Sequence, residues 1–198
     1  MQIENHKEEV PFSHYQELFR QADPNAIAQR LPHADFDGTV FTVTLLGTAY
    51  KITWPAAEVT PAAPLPKQTF LLRWLLEGQE VSCQGNWLTF REMPWGELYI
   101  KPYTGRVLTR AAFTFGTRVA AFRAACEKLG ATPVAHGDAG YEFAFLEGYR
   151  MRILVWEGDD EFPPNAQVLY SDNFAAGVAA EDRVVAGDLL ITHIKAAM

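Results

Sequence analysis

The chain has 198 residues, 48% hydrophobic and 21% charged, a composition in the ordinary globular range that excludes fibrous and wholly disordered chains. At roughly 150 residues per domain this length predicts one domain over 1–198, with a core large enough to fold without a metal or disulfide staple. Its 17 Lys and Arg against 24 Asp and Glu give a net charge of −7, which argues against the basic stripe that binding to a phosphate backbone requires. Nucleic acid is therefore not an expected partner. No apolar run approaches the roughly 20 residues of a membrane span, and the start, Met1-Gln2-Ile3-Glu4-Asn5-His6-Lys7, lacks the apolar stretch of a signal peptide. The expectation is a cytoplasmic protein with no membrane partner.

In chain order, residues 12–31 predict two short helices. Ser13-His14-Tyr15-Gln16 has capping-box spacing, and Asp23-Pro24 places an N-cap before a proline at the first helical position. After the Asp37-Gly38 turn, Phe41, Val43 and Leu45 alternate with threonines, and Gly47-Thr48 offers a two-residue hairpin loop before Tyr50, Ile52 and Trp54. Prolines 55, 61, 64 and 66 make residues 55–66 a stiff extended connector. The run from Lys67 to Glu77 predicts a core helix ending at Gly78 in a left-handed position. Trp87–Arg91 and Glu97–Ile100, on either side of Met93-Pro94-Trp95-Gly96, predict a second hairpin. Thr117 is placed to cap a helix running to Leu129 and ended by Gly130. Tyr141–Leu146 and Arg150–Trp156 predict strands about Glu147-Gly148, Gln167–Tyr170 a shorter strand, and Glu181–Ala197 a C-terminal helix with acids in its first turn and Lys195 in its last. The fold expected is α+β, with a largely antiparallel sheet built from hairpins and helices packed on it.

The two cysteines, Cys83 and Cys126, are too few for an iron–sulfur cluster of the chain's own and form no Cys-x-x-Cys pair. Cys126 falls in the helical series Val119, Phe122, Cys126, Leu129 and is expected to be a buried, inert thiol. The most unusual segment is Trp156-Glu157-Gly158-Asp159-Asp160-Glu161-Phe162-Pro163-Pro164. Carboxylates this close repel, and a hard cation such as Mg²⁺ or Ca²⁺ relieves the repulsion, so Asp159, Asp160, Glu161 and Asp172 are candidate metal ligands. The acids are consecutive and lack the alternate spacing of an EF-hand, and the same segment also reads as a solvated turn anchored by Trp156 and Phe162. His136-Gly137-Asp138 is a further candidate for metal binding or proton relay, or else a polar loop.

The run Ile153-Leu154-Val155-Trp156-Glu157-Gly158-Asp159-Asp160-Glu161-Phe162-Pro163, followed by Val168-Leu169-Tyr170-Ser171-Asp172 and Glu181-Asp182, resembles the C-terminal signature of the prokaryotic family known as domain of unknown function 3786. Leu71-Leu72-Arg73-Trp74-Leu75-Leu76, Gly85-Asn86-Trp87-Leu88-Thr89-Phe90-Arg91-Glu92 and Gly96-Glu97-Leu98-Tyr99 are similar to its central block. The likeness covers about residues 10 to 195. It implies no assigned activity. It also implies an anaerobe as the typical host and, in some members, a joined iron–sulfur module, for which this chain lacks the cysteines.

No Gly-x-Ser-x-Gly elbow, P-loop, dinucleotide fingerprint or His-Glu-x-x-His helix occurs in the sequence, so no catalytic residue is assigned and the question of an enzyme stays open. Trp87, Phe90, Trp95, Tyr99 and Tyr103, interspersed with Arg91 and Lys101, suit either core packing or a stacking platform for a planar ligand. The leading expectation is a non-catalytic accessory protein that binds a small ligand, a cation or a protein partner, with Trp87, Phe90, Arg91 and Trp156 as ligand-binding residues. Two alternatives stand beside it. One is a hydrolase-like enzyme using Mg²⁺ or Mn²⁺ on the acidic cluster, and the other is a structural subunit that docks a basic partner on the same acids.

Overall fold

The computed structural model describes residues 6–198, and its first helix already departs from the local sequence signals. Helix α1 (His6–Gln21) runs through Ser13, whose hydroxyl donates one turn back to the Glu9 carbonyl at 2.9 Å, so Ser13 does not start a helix. A serine inside a helix satisfies itself in this way when the chain before it is already helical. Helix α2 (Pro24–Arg30) begins as expected, with the Asp23 carboxylate accepting the Asn25 N–H at 2.9 Å. The chain divides into two compact units, the first ending at Val81 and the second running from Ser82 to Met198.

In the first unit, strands β1 (Asp35–Phe36), β2 (Val40–Leu45), β3 (Thr48–Thr53) and β4 (Val59–Thr60) pair antiparallel in that order. Phe41, Val43, Leu45, Tyr50 and Ile52 are buried, as their alternation requires. The hairpin loop is Leu46-Gly47, one residue earlier than expected, because Thr48 already pairs with Leu45. Both loop residues have positive φ, 49° and 75°, the condition a two-residue turn sets for matching the strand twist. The connector after residue 55 is interrupted by β4 and runs into helix α3 (Leu65–Glu77). Gly78 ends α3 in an extended rather than a left-handed conformation, with φ −62°. A glycine is needed there for space, since a Cβ would lie 2.3 Å from the Trp74 ring.

In the second unit, β6 (Thr132–Pro133), β7 (Ala139–Leu146), β8 (Tyr149–Trp156), β9 (Asn165–Ser171) and β5 (Trp87–Thr89) lie side by side in that order, and all pair antiparallel. The hairpin expected around Trp95 does not form. Thr89-Phe90-Arg91-Glu92 is a capping box, with the Thr89 N–H and hydroxyl both donating to Glu92 Oε2 at 2.7 Å, and it turns the chain from β5 into a 3₁₀ turn over Phe90–Glu92. Helix α4 (Gly96–Tyr103) follows, then a π-helical segment, Thr104–Thr109, and helix α5 (Arg110–Phe115). Pro102 lies just before the widened segment and lacks the N–H that an α-helix interior needs.

Helix α6 (Val119–Lys128) starts without a side-chain cap. The Thr117 hydroxyl donates instead to the Phe113 carbonyl at 3.1 Å, so Thr117 is not its cap. Gly130, at φ 71°, closes α6 as expected. The short helix α7 (Phe174–Gly177) and helix α8 (Ala180–Ala197) complete the chain. Tyr141, Phe143 and Phe145 of β7, Met151, Ile153 and Val155 of β8, and Val168 and Tyr170 of β9 form a buried face. The π segment packs on β9, and α5 packs on both β8 and β9. Cys126 is fully buried on α6, and burial pushes its thiol pKa up to about 12, which leaves it protonated and inert. The class is α+β, and no helix among the described residues is long and apolar enough to cross a membrane.

Candidate functional site

A groove of about 370 Å³ lies where β5 ends and the chain passes into α4, at the lower end of the roughly 300–1,000 Å³ typical of ligand pockets. Thr89, Phe90 and Arg91 line it from β5 and the 3₁₀ turn, Ile100, Tyr103, Thr104 and Leu108 from the helical run, and Gln167 from β9. The Phe90 and Tyr103 rings stack at 4.0 Å with 7° between their planes, and each residue is only 1% exposed. This aromatic floor is therefore rigid. The Tyr170 hydroxyl, behind Tyr103, donates to the Arg183 carbonyl at 2.9 Å and lies 3.3 Å from the Tyr103 hydroxyl. Burial holds both phenols well above their ordinary range, so the floor stays neutral. Arg91 is the charged residue of the lining; its Nε lies 3.3 Å from Glu97 Oε1, and both side chains are more than half exposed. An ion pair this open exchanges readily for another anion.

Of the residues singled out from sequence, Phe90 and Arg91 lie in this groove and Tyr103 with them. Trp87 stands opposite Ser171, where the Arg152 guanidinium covers its ring at 3.9 Å. Trp156 stands opposite Asn165, at the other end of β9. With about 3.3 Å per strand residue, these two tryptophans are separated by about 20 Å along β9. Trp95 and Tyr99 are exposed, at 69% and 40%, and are not among the lining residues.

The acidic segment is organised by its own backbone. Asp159 Oδ1 accepts the Glu161 and Phe162 N–H groups at 2.9 and 2.7 Å, and these bonds lower its pKa. The Asp138 carboxylate ties the segment down by accepting the Glu157 N–H at 2.8 Å. Asp160 and Glu161 are exposed. Asp172 lies past the far end of β9, where its carboxylate accepts the Gln84 and Asn86 N–H groups and the Asn86 side-chain amide at 2.9–3.0 Å. The fold thus does not bring Asp172 to Asp159, Asp160 and Glu161. Among the described residues, no three His, Cys, Asp or Glu side chains come together as a set able to hold a metal ion.

Ile100, Thr104, Leu108 and Gln167 are groove residues that the sequence reading missed. The first three recur at i, i+4 and i+8, a helical stripe that becomes visible once Thr89-x-x-Glu92 is recognised as a helix start. Gln167 carries no such signal, because only the pairing of β5 with β9 brings it beside Phe90.

The family model for a domain of unknown function, DUF3786, matches residues 23–193, and the chain belongs to this family. No curated protein and no solved structure matches it.

Proposed function

We propose that the protein is a non-catalytic binding protein whose groove takes a ligand presenting a flat apolar group beside an anion. The observation that carries this reading is the groove itself, with a fixed, neutral Phe90–Tyr103 floor and Arg91 at its rim. The half-buried Ile100 and Leu108 side chains beside that buried floor offer apolar contact, and a guanidinium rewards a carboxylate or phosphate with a charge-assisted hydrogen bond. Thr89, Thr104 and Gln167 supply further donors and acceptors for orientation. The cytoplasm is its proposed compartment, in keeping with cysteines that are free, one exposed and one buried.

Titration calorimetry with indole-3-acetate and 4-phenylbutyrate tests the reading. Binding is expected for the native protein, weakened about fivefold to tenfold in Arg91→Gln by loss of a bond worth roughly 1–1.5 kcal/mol. Thr104→Phe, which fills the groove from its exposed lip, is expected to abolish it. Binding that ignores both substitutions, or none at all, would refute the proposal.

A further inference from the structure

From Gly96 to Phe115, helix α4, the π-helical segment and α5 form one unbroken helical rod, since Tyr103, Thr104, Thr109 and Arg110 at the two junctions all keep right-handed helical angles. At about 1.5 Å per residue the rod is about 30 Å long. Its inner side is buried through Tyr103, Val107, Ala111 and Phe115. On its outer side Leu98, Lys101, Pro102, Gly105, Thr109 and Phe113 are all exposed. Two turns of α-helix take about 7.2 residues, and a π turn adds about one. Leu98, Gly105 and Phe113, seven and then eight positions apart, therefore lie along one line. Trp95, more than half exposed, stands at the start of the rod, with Tyr99 one turn on. At the far end the acidic loop closes on Gly116, whose carbonyl accepts the Gly158 N–H at 3.2 Å, and this loop carries Phe162, also more than half exposed. Among the described residues of the second unit, every exposed large apolar side chain except Met198 belongs to this rod or to that loop.

Gly105 marks the middle of the line. A Cβ there would meet nothing within 4 Å, and its backbone is helical, not left-handed. Glycine inside a helix is destabilising relative to alanine, and neither packing nor conformation among the described residues calls for it here. The close approach of a second backbone does.

We infer that two copies of this chain pair through the outer face of the rod, antiparallel, about a two-fold axis at Gly105. A two-fold contact needs a surface complementary to itself. Reversing the line about Gly105 sets Leu98 against the partner's Phe113, about 11 Å from the axis on either side, and sets Trp95 against the partner loop that carries Phe162. The central guanidiniums do not crowd the axis, because Arg106 and Arg110 both lean to Asp188 of α8. At roughly 150–250 Å² for each whole aromatic side chain, the exposed parts of Trp95, Leu98, Tyr99, Phe113 and Phe162 amount to about 500 Å² per copy. A pair covers about 1,000 Å² of them, the size at which an interface becomes specific, before Pro102 and Thr109 between them are counted. An anionic lipid surface is a poorer occupant, because Glu157, Asp160 and Glu161 are exposed beside Phe162 at the end of the same rod. The face is separate from the groove, which takes Ile100, Thr104 and Leu108 from the same run.

Sedimentation velocity of the full chain tests the pairing, with a reversible dimer expected to form over about 1–100 μM protein. Leu98→Lys and Phe113→Glu, both at exposed positions, are each expected to weaken the dimer at least about tenfold. Combined in one chain they set opposite charges against each other at both ends of the contact, and the dimer is expected to return to within about threefold of native. Gly105→Gln is expected to weaken the dimer at least about tenfold while leaving the urea midpoint, measured at concentrations where the chain is monomeric, unchanged or higher. A native chain that stays monomeric, a dimer indifferent to the single substitutions, or a double variant no tighter than the single ones overturns the inference. Binding of a monomeric native chain to phosphatidylglycerol vesicles, lost in Phe113→Glu, assigns the face to lipid and also overturns it.

Discussion

Asp172 shows how far one side chain can be from the role its sequence context suggests. It sits beside an apolar strand as a candidate cation ligand, yet its carboxylate accepts three N–H bonds from the Gln84–Asn86 segment, which hold its pKa at about 2 against an ordinary 3.8. A carboxylate with a lowered folded-state pKa stabilises the fold above its unfolded value, near pH 4, and the contribution disappears as the pH falls from there toward about 2. Asp172→Asn is therefore expected to lower the urea midpoint near neutral pH, with the gap to the native protein closing between about pH 4 and pH 2. A gap independent of pH would show that the charge is not what matters. Cys126, by contrast, is legible from four helically spaced residues, because burial of a thiol needs only an apolar face.

At the scale of elements, the segment from Trp87 to Tyr103 separates what is local from what is not. Its aromatics suggest a hairpin, but the Thr89–Glu92 box ends the strand after three residues. Gly96 then lets the chain pass so close to the 3₁₀ turn that a Cβ would lie 2.1 Å from the Phe90 carbonyl oxygen. The box was readable in the sequence; the close approach was not, since it depends on where Pro94 is held. Arg183 of α8 holds it. This buried guanidinium donates to the carbonyls of Pro94, Phe174, Ala175 and Val178 at 2.7–3.2 Å, joining α7, α8 and the turn before α4. Arg183→Met strands these acceptors, each costing about 1–3 kcal/mol if left unsatisfied. The expected loss is at least about 3 kcal/mol in chemical denaturation. A loss under about 1 kcal/mol would mean that water or relaxation replaces the bonds.

Across the whole molecule, elements joined by short loops are legible and those joined through space are not. Turn residues in the sequence announce the β2–β3 and β7–β8 hairpins, and macrodipole-matched charges announce α8. The pairing of β5 with β9 leaves no local mark, and it assembles the groove from segments far apart in the chain. For this reason the sequence indicated Phe90 and Arg91 but grouped them with Trp156, which the register of β9 carries about 20 Å from Trp87. The central claim is that the groove by Phe90 and Arg91 is the ligand site, and amide chemical-shift mapping during an indole-3-acetate titration tests it most directly. Saturable shifts are expected, concentrated at Thr89–Arg91, Ile100–Thr104, Leu108 and Gln167. Shifts confined to residues 157–162, or no saturable shift anywhere, would contradict it.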